Sequence, residues 1–238
     1  MTELSAVEPP APAGGWRTAT VRSITHTTGA VIIRLDVADR VEHLPGQHYV
    51  VRLTGEDGYR AQRSYSLTSP PSDPLIEMLV ERLPDGEVSG YLAEELRVGD
   101  SIDVRGPVGG WFVWNGTQPA LGVGGGSGVA PLVSMLRHAR DVGRTDRLRL
   151  VVAARTLDDL PYAEELLEAG ATPVLSRQAF SNRPAGRVGD DDLRPFLADV
   201  QRAYVCGSAS FAEAASQRLV SLGVPSATIR VERFGPTS

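Results

Sequence analysis

Cysteine is almost missing from this chain. Among 238 residues Cys206 stands alone, so no intrachain disulfide can close and no cysteine-ligated zinc or iron–sulfur site can be assembled from these residues by themselves. The four histidines, His26, His43, His48 and His138, lack metal-ligand spacing, and no metal is expected. No apolar run approaches the roughly 20 residues that cross a bilayer. The start, Met1 to Gly15, is rich in Pro, Ala and Gly and lacks the basic and apolar regions of a signal peptide. A cytoplasmic protein without membrane insertion is therefore expected. Positive charge is also short: 24 Lys+Arg against 29 Asp+Glu leave a net charge of -5, which excludes nucleic acid as a main partner.

What is present suits a soluble globular chain, with 42% hydrophobic and 22% charged residues, and the length suits two small domains. Residues 1–15, with Pro9, Pro10, Pro12 and Gly14-Gly15, read as a disordered tail. Residues 16–114 carry short β-rich runs at Thr18 to Ile24, Ala30 to Val37, His48 to Leu53, Ser64 to Thr68, Ile76 to Val80 and Ser101 to Val104. Turns such as Leu44-Pro45-Gly46 and Asp57-Gly58 separate them, and one short helix from Ser89 to Glu95 interrupts the series. This pattern predicts an antiparallel β-barrel or sandwich. After a breaker-rich joint at Asn115 to Pro119, residues 119–238 alternate strands (Ala120 to Val123, Leu148 to Ala154, Thr172 to Leu175, Ala203 to Cys206, Ile229 to Val231) with helices (Val129 to Asp141, Tyr162 to Glu168, Asp191 to Leu197, Phe211 to Leu222). That order predicts an α/β domain with a five-stranded parallel sheet.

The strongest local motif is the glycine-rich turn from Leu121 to Pro131, which runs from a strand into a helix. Side-chain-free residues let the backbone approach a pyrophosphate, and the helix start offers free N–H groups. Gly122 and Gly124 match the first two glycines of G-x-G-x-x-G, but Ser127 stands where the third belongs. Tight entry into a helix also demands glycine, so both readings stand. The second strand of this domain ends in Arg155, where an acidic residue would take the NAD ribose; a guanidinium there points to NADPH, and Ser176-Arg177 after the third strand can join the same phosphate. NADH stays possible.

In the first half, Arg63-Ser64-Tyr65-Ser66 lies on a strand and Gly86 to Leu92 opens the short helix. Together with the glycine-rich turn, Cys206-Gly207 and the ending Glu232-Arg233-Phe234-Gly235, these motifs resemble the ferredoxin–NADP reductase family from Trp16 onward. The resemblance implies an FAD-binding barrel followed by a nicotinamide-dinucleotide domain, the two rings meeting between them.

By that resemblance Arg63 binds flavin phosphate, Tyr65 packs on the isoalloxazine ring and Ser66 hydrogen-bonds near its N5. Val80, Glu81 and Arg82 line the cofactor, while Gly86, Val88 and Ser89 offer N–H groups and a hydroxyl to the pyrophosphate. Gly124, Gly125, Gly126, Ser127 and Gly128 approach the dinucleotide. Cys206 and Gly207 lie beside the nicotinamide, although a buried cysteine also serves as a small hydrophobe. Glu232 and Phe234 sit near the flavin, so that Ser66, Cys206 and Glu232 form the expected catalytic set. The Gly106-Pro107-Val108-Gly109-Gly110 segment resembles a family turn and reads as a structural joint.

The implied activity is an FAD-dependent oxidoreductase that takes hydride from NAD(P)H. Many family members carry a cysteine-ligated iron–sulfur acceptor on the same chain; with one cysteine here, the expected acceptor is a separate ferredoxin or oxygenase component. Two alternatives are an NAD(P)H:flavin reductase using free flavin and a regulatory subunit that binds the nucleotides without turnover.

Overall fold

The computed structural model describes residues 14–83 and 85–235. The tail expected over 1–15 lies, for residues 1–13, outside the described residues. Six strands build the first domain: β1 Arg17–Thr27, β2 Ala30–Val37, β3 His48–Thr54, β4 Arg60–Ser66, β5 Ile76–Glu81 and β6 Ser101–Val108. They form one sheet in the order β4-β3-β6-β1-β2-β5, every pairing antiparallel. Its two edges meet: Leu67 bridges Met78, and the Thr68 N–H donates to the Glu77 carbonyl at 2.8 Å, which closes the sheet toward a barrel. Inward alternation along β2 and β5 buries Ile33, Leu35, Met78 and Val80 together with Tyr49 and Val104. Helix α1, Glu87–Glu94, plugs the barrel with Val88 and Leu92.

Strand β4 begins at Arg60, four residues before its sequence signal. The segment Arg60-Ala61-Gln62-Arg63 is mostly polar and shows no apolar alternation, yet its backbone pairs with β3 residue for residue from Thr54↔Arg60 to His48↔Ser66.

The second domain holds β7 Ala120–Gly125, β8 Leu148–Ala154, β9 Thr172–Leu175, β10 Arg202–Ser208 and β11 Ile229–Phe234 in the order β11-β10-β7-β8-β9, all parallel. Helices α2 (Ala130–Asp141) and α3 (Ala163–Glu168) cover one face, and α4 (Asp190–Leu193) and α5 (Ala209–Ser221) the other. Leu121 and Val123 point toward α5, whereas Leu150, Val152 and Tyr204 pack under α2. Helix α4 is shorter than its sequence pattern because Pro195 has no N–H to continue it; a 3₁₀ turn over Arg194–Phe196 follows instead.

The joint between the domains is packed into the second core. Trp114 is fully buried and donates its indole N–H to the Gln118 carbonyl at 2.9 Å, while the Tyr204 hydroxyl donates to the Val113 carbonyl at 2.7 Å. Phe112 meets the Tyr204 ring edge-on. Tyr204→Phe leaves the Val113 carbonyl without its donor and is expected to lower the unfolding free energy by about 1–2 kcal/mol in urea titration; an unchanged midpoint would show the joint is held by packing alone.

Candidate active site

On the barrel side, β4 pairing sets Ser66 opposite His48 and Tyr65 opposite Tyr49. Ser66 is buried, and the Tyr65 ring leans on the barrel core. Burial raises the Tyr65 phenol above its ordinary value while the charge of Arg63 pulls it back, so the two side chains lie close enough to feel one another. Arg63 is exposed and, among the described residues, donates only to the neighbouring Gln62 carbonyl, at 2.7 Å. Arg82 pairs with Glu94 on α1 at 2.5 Å.

The expectation that Val80 lines a cofactor is corrected in one respect. Its side chain is 0% exposed inside the barrel, because Met78 and Val80 share the inward face of β5; only its main chain faces anything else. At the start of α1 no side chain caps the helix, so its first N–H groups are open to an anion. Val88 is packed into the barrel. The Ser89 hydroxyl donates to the Gly86 carbonyl at 3.2 Å and accepts from Leu83 N–H at 3.4 Å, so it builds the turn as much as it serves a ligand.

On the sheet side, the glycine-rich turn leaves β7 at Gly125 and enters α2 through a 3₁₀ turn, Gly126–Val129. Most of its glycines are demanded by packing. A Cβ on Gly124 would come 2.9 Å from Leu132, one on Gly125 would strike the Phe211 ring at 2.9 Å, and one on Gly128 would sit 2.3 Å from the Cys206 carbonyl. Gly126 differs: its φ is +57° and nothing lies within 4 Å of the added carbon. The Ser127 hydroxyl crosses to the barrel and donates to Glu81 Oε2 at 2.5 Å.

Arg155 directly follows β8, and Ser176-Arg177 directly follows β9 alongside, with the Arg177 N–H donating to the Arg155 carbonyl at 2.8 Å. All three side chains are exposed at the carboxyl edge of the sheet, where open α/β sheets place ligands. Asp159 stands 3.6 Å from the Arg155 guanidinium.

At the centre, parallel register places Cys206 between Gly124 on β7 and Glu232 on β11, and Gly207 beside Arg233. Cys206 is 0% exposed and packs in the core under α2, with Phe234 against the same cluster. Its thiol is therefore a packing group in this structure; burial first, then the charge of Glu232, pushes it well above its ordinary value. Burial also raises the Glu232 carboxyl to about 7, and no described residue donates to it. It is a group poised to hold or release a proton near neutral pH.

Two neighbours escaped sequence reasoning. Phe211, in the first turn of α5, lies against both Gly125 and Gly207; an aromatic directly after a strand ending in Cys-Gly was its signal. His48 packs its ring beside Gly109 and borders Ser66, and burial lowers its pKa, so it is neutral near pH 7.

Residues 17–113 match the oxidoreductase FAD-binding domain and residues 123–217 the oxidoreductase NAD-binding domain. A Ralstonia ferredoxin–NAD(P)+ reductase component of naphthalene 1,2-dioxygenase/salicylate 5-hydroxylase systems is 34% identical over 218 residues, 86% of this chain and 64% of that protein. The corresponding reductase component of a naphthalene 1,2-dioxygenase system from Pseudomonas putida is 30% identical over 226 residues, 91% of this chain and 67% of that one. The chain thus spans about two thirds of the length of these curated relatives. Among solved structures, the flavohaem-like FAD/NAD-binding domain of a nitric oxide dioxygenase from Vibrio cholerae superposes with a TM-score of 0.82 at 24% identity, covering 92% of this chain and 99% of that one; this likeness speaks for the fold.

A carboxyl raised from 4.5 to about 7 makes the folded state bind a proton that the unfolded state has lost. Stability from Glu232 therefore falls as pH rises through that window. In flavin-free protein, Glu232→Gln is expected to add up to about 3 kcal/mol at pH 8 and nothing near pH 4. Guanidinium titrations across pH check this, and parallel curves for parent and variant would mean that the carboxyl is not buried in solution.

Proposed function

Because this chain belongs to the ferredoxin–NADP reductase family, with an FAD-binding barrel and an NAD-binding α/β domain, we propose that it is an NAD(P)H-dependent flavoprotein reductase that delivers electrons to a separate acceptor protein, a ferredoxin or an oxygenase component. The reading rests on one observation above all. The glycine-rich turn and the strand leading to the flavin-side helix are held in contact by the Ser127–Glu81 hydrogen bond, so the two candidate cradles lie side by side.

The donor set fits both nucleotides. An exposed guanidinium at Arg63 and the uncapped start of α1 suit the flavin phosphates, and the Tyr65 ring and buried Ser66 hydroxyl suit the flavin ring. Gly126, with open space above it, lets a dinucleotide pyrophosphate approach the start of α2, and Arg155 with Arg177 suits the extra phosphate of NADPH. FAD, when bound, supplies the ability to take two electrons together and release them one at a time. The protein's part is to bring the two rings together, exclude water and keep a proton at Glu232.

Among the described residues no helix is long and apolar enough to cross a membrane. We place the protein in the cytoplasm, where its free thiol stays reduced and nicotinamide nucleotides are at hand. The names of the matched relatives, reductase components of oxygenase systems, support the choice of acceptor.

Anaerobic mixing of the purified protein with NADPH and with NADH, followed by addition of a ferredoxin, tests the assignment. Bound flavin that survives desalting, bleaches with nicotinamide and recovers with the acceptor is the expected result. A colourless protein that reduces only added free flavin would convert the reading to a flavin reductase; bound flavin that never bleaches would make it a regulatory subunit. Arg155→Ala should weaken NADPH about tenfold or more and leave NADH within twofold. Asp159→Asn should tighten NADPH by freeing the same guanidinium; equal effects on both nucleotides would show that Arg155 does not read the phosphate.

A further inference from the structure

The two domains meet along the outward face of β5. Met78 and Val80 point into the barrel, so Glu77, Leu79 and Glu81 point out. They face the turn and helix that begin at Gly126. Glu81 accepts from Ser127 at the crevice end. Leu79 packs with Ala130 and Tyr162 in the middle. Glu77 receives Arg137 at the far end, where Arg137 Nη1 donates to Glu77 Oε1 at 2.7 Å. The same carboxylate oxygen accepts from the Thr68 hydroxyl at 2.7 Å and the Tyr162 hydroxyl at 3.0 Å. Burial favours the neutral form of Glu77, but the bonds from Arg137, Thr68 and Tyr162 win and hold the carboxyl below its ordinary value.

Arg137 binds its own domain with equal commitment. Its Nε and Nη2 clasp Glu165 of α3 at 3.0 and 2.8 Å, while Nη1 reaches across to the barrel's Thr68 carbonyl as well, at 3.1 Å. The planar fork of arginine is what permits two carboxylates on two domains to be held in fixed directions at once. Tyr162, whose hydroxyl completes the cluster, holds a left-handed backbone with φ +58°, a conformation that costs energy in a non-glycine residue and persists where its surroundings insist on it.

The two ends of this seam are unlike. At the crevice end a single hydrogen bond joins two exposed side chains; such contacts add little and yield to a ligand. At the far end the bonds are numerous and the side chains of Glu77 and Arg137 are only 12% and 22% exposed. Between them α2 acts as a lever. Arg137 lies ten residues beyond Ser127, about 15 Å along a helix, so a tilt of about 4° around Arg137 carries the glycine-rich turn by about 1 Å. A misplacement of that size costs roughly a hundredfold in a reaction that depends on close approach of two reactants.

We propose that Arg137 is a positioning residue for hydride transfer: bound to Glu77 of the barrel and Glu165 of the sheet domain, it fixes the angle between them and hence the approach of the nicotinamide to the flavin. This rests on the reductase reading of the crevice, and it assigns to Arg137 no contact with either nucleotide. Nucleotide entry needs only to draw the Ser127 hydroxyl off Glu81; the Arg137 end keeps the angle between the domains unchanged.

The test uses the flavin-loaded protein with Arg137→Gln, Arg137→Lys and, on the partner side, Glu77→Gln. Stopped-flow reduction by NADPH should slow about 10- to 100-fold in Arg137→Gln, with flavin content and the Kd for NADP+ within about twofold of the parent. Arg137→Lys should recover part of the rate, because a cation is restored without the second fork. Reoxidation of dithionite-reduced flavin by a small one-electron acceptor should be unchanged.

A second readout needs no turnover. Dyes on Val98→Cys and Val220→Cys, both at exposed positions on different domains while Cys206 is buried, report the interdomain distance. The parent should show one narrow distribution and Arg137→Gln a broad one. Loss of nucleotide affinity in place of reduction rate, or an unchanged distance distribution, would overturn the proposal. Should Arg137→Gln fail to fold, Glu77→Gln with the same readouts decides the question. A parent that bleaches with neither NADPH nor NADH would instead defeat the reductase reading, while the dye distances would still judge how Arg137 holds the domains.

Discussion

Glu77 carries its charge at a place that water scarcely reaches, and the two domains depend on how that charge is answered. A carboxylate stripped of hydration is tolerated only when donors replace the water, and here Thr68 from the barrel joins Arg137 and Tyr162 from the sheet domain in doing so. Arg34 stands 3.7 Å from the other carboxylate oxygen, so the charge is answered from both domains. The domains are thereby committed to a single mutual arrangement, and everything in the crevice inherits its geometry from that commitment.

The glycine-rich turn illustrates how binding and packing share residues. Gly124, Gly125 and Gly128 are fixed by Leu132, Phe211 and the β10 backbone, so the approach of α2 to the sheet is as close as glycine permits. That tight seating leaves Gly126 as the place where the backbone opens outward. The same close approach buries Cys206 under the turn and brings Gly207 beneath the Phe211 ring. The turn is thus the exposed crest of a core whose other glycines are held by packing.

Much of this architecture was legible in the sequence. Alternation of period two in Ala30 to Val37 and Ile76 to Val80, and the switch to strand–helix alternation after Pro119, follow from local patterning that the tertiary structure does not override. The R-x-Y-S segment does fall on a strand, and Arg155 and Arg177 do fall just past strand ends. What escaped was long-range. The polar half of β4 is a strand only because β3 offers it a ladder. Glu77 carried no signal in the sequence and Glu81 was placed only beside the cofactor; nothing local tells that a helix fifty residues later will cover this face of the strand. Tyr162 looks like the first residue of a helix, whereas its left-handed backbone starts α3 one residue later. Val80 was open to correction from alternation alone, since it shares parity with the plainly apolar Met78.

The burial of Cys206 has a chemical consequence. Reduced flavins pass electrons to dioxygen and generate peroxide, to which an accessible thiolate is the ordinary first casualty in a protein. Here the one cysteine thiol is kept protonated and out of reach, which leaves no readily oxidised thiol on the chain.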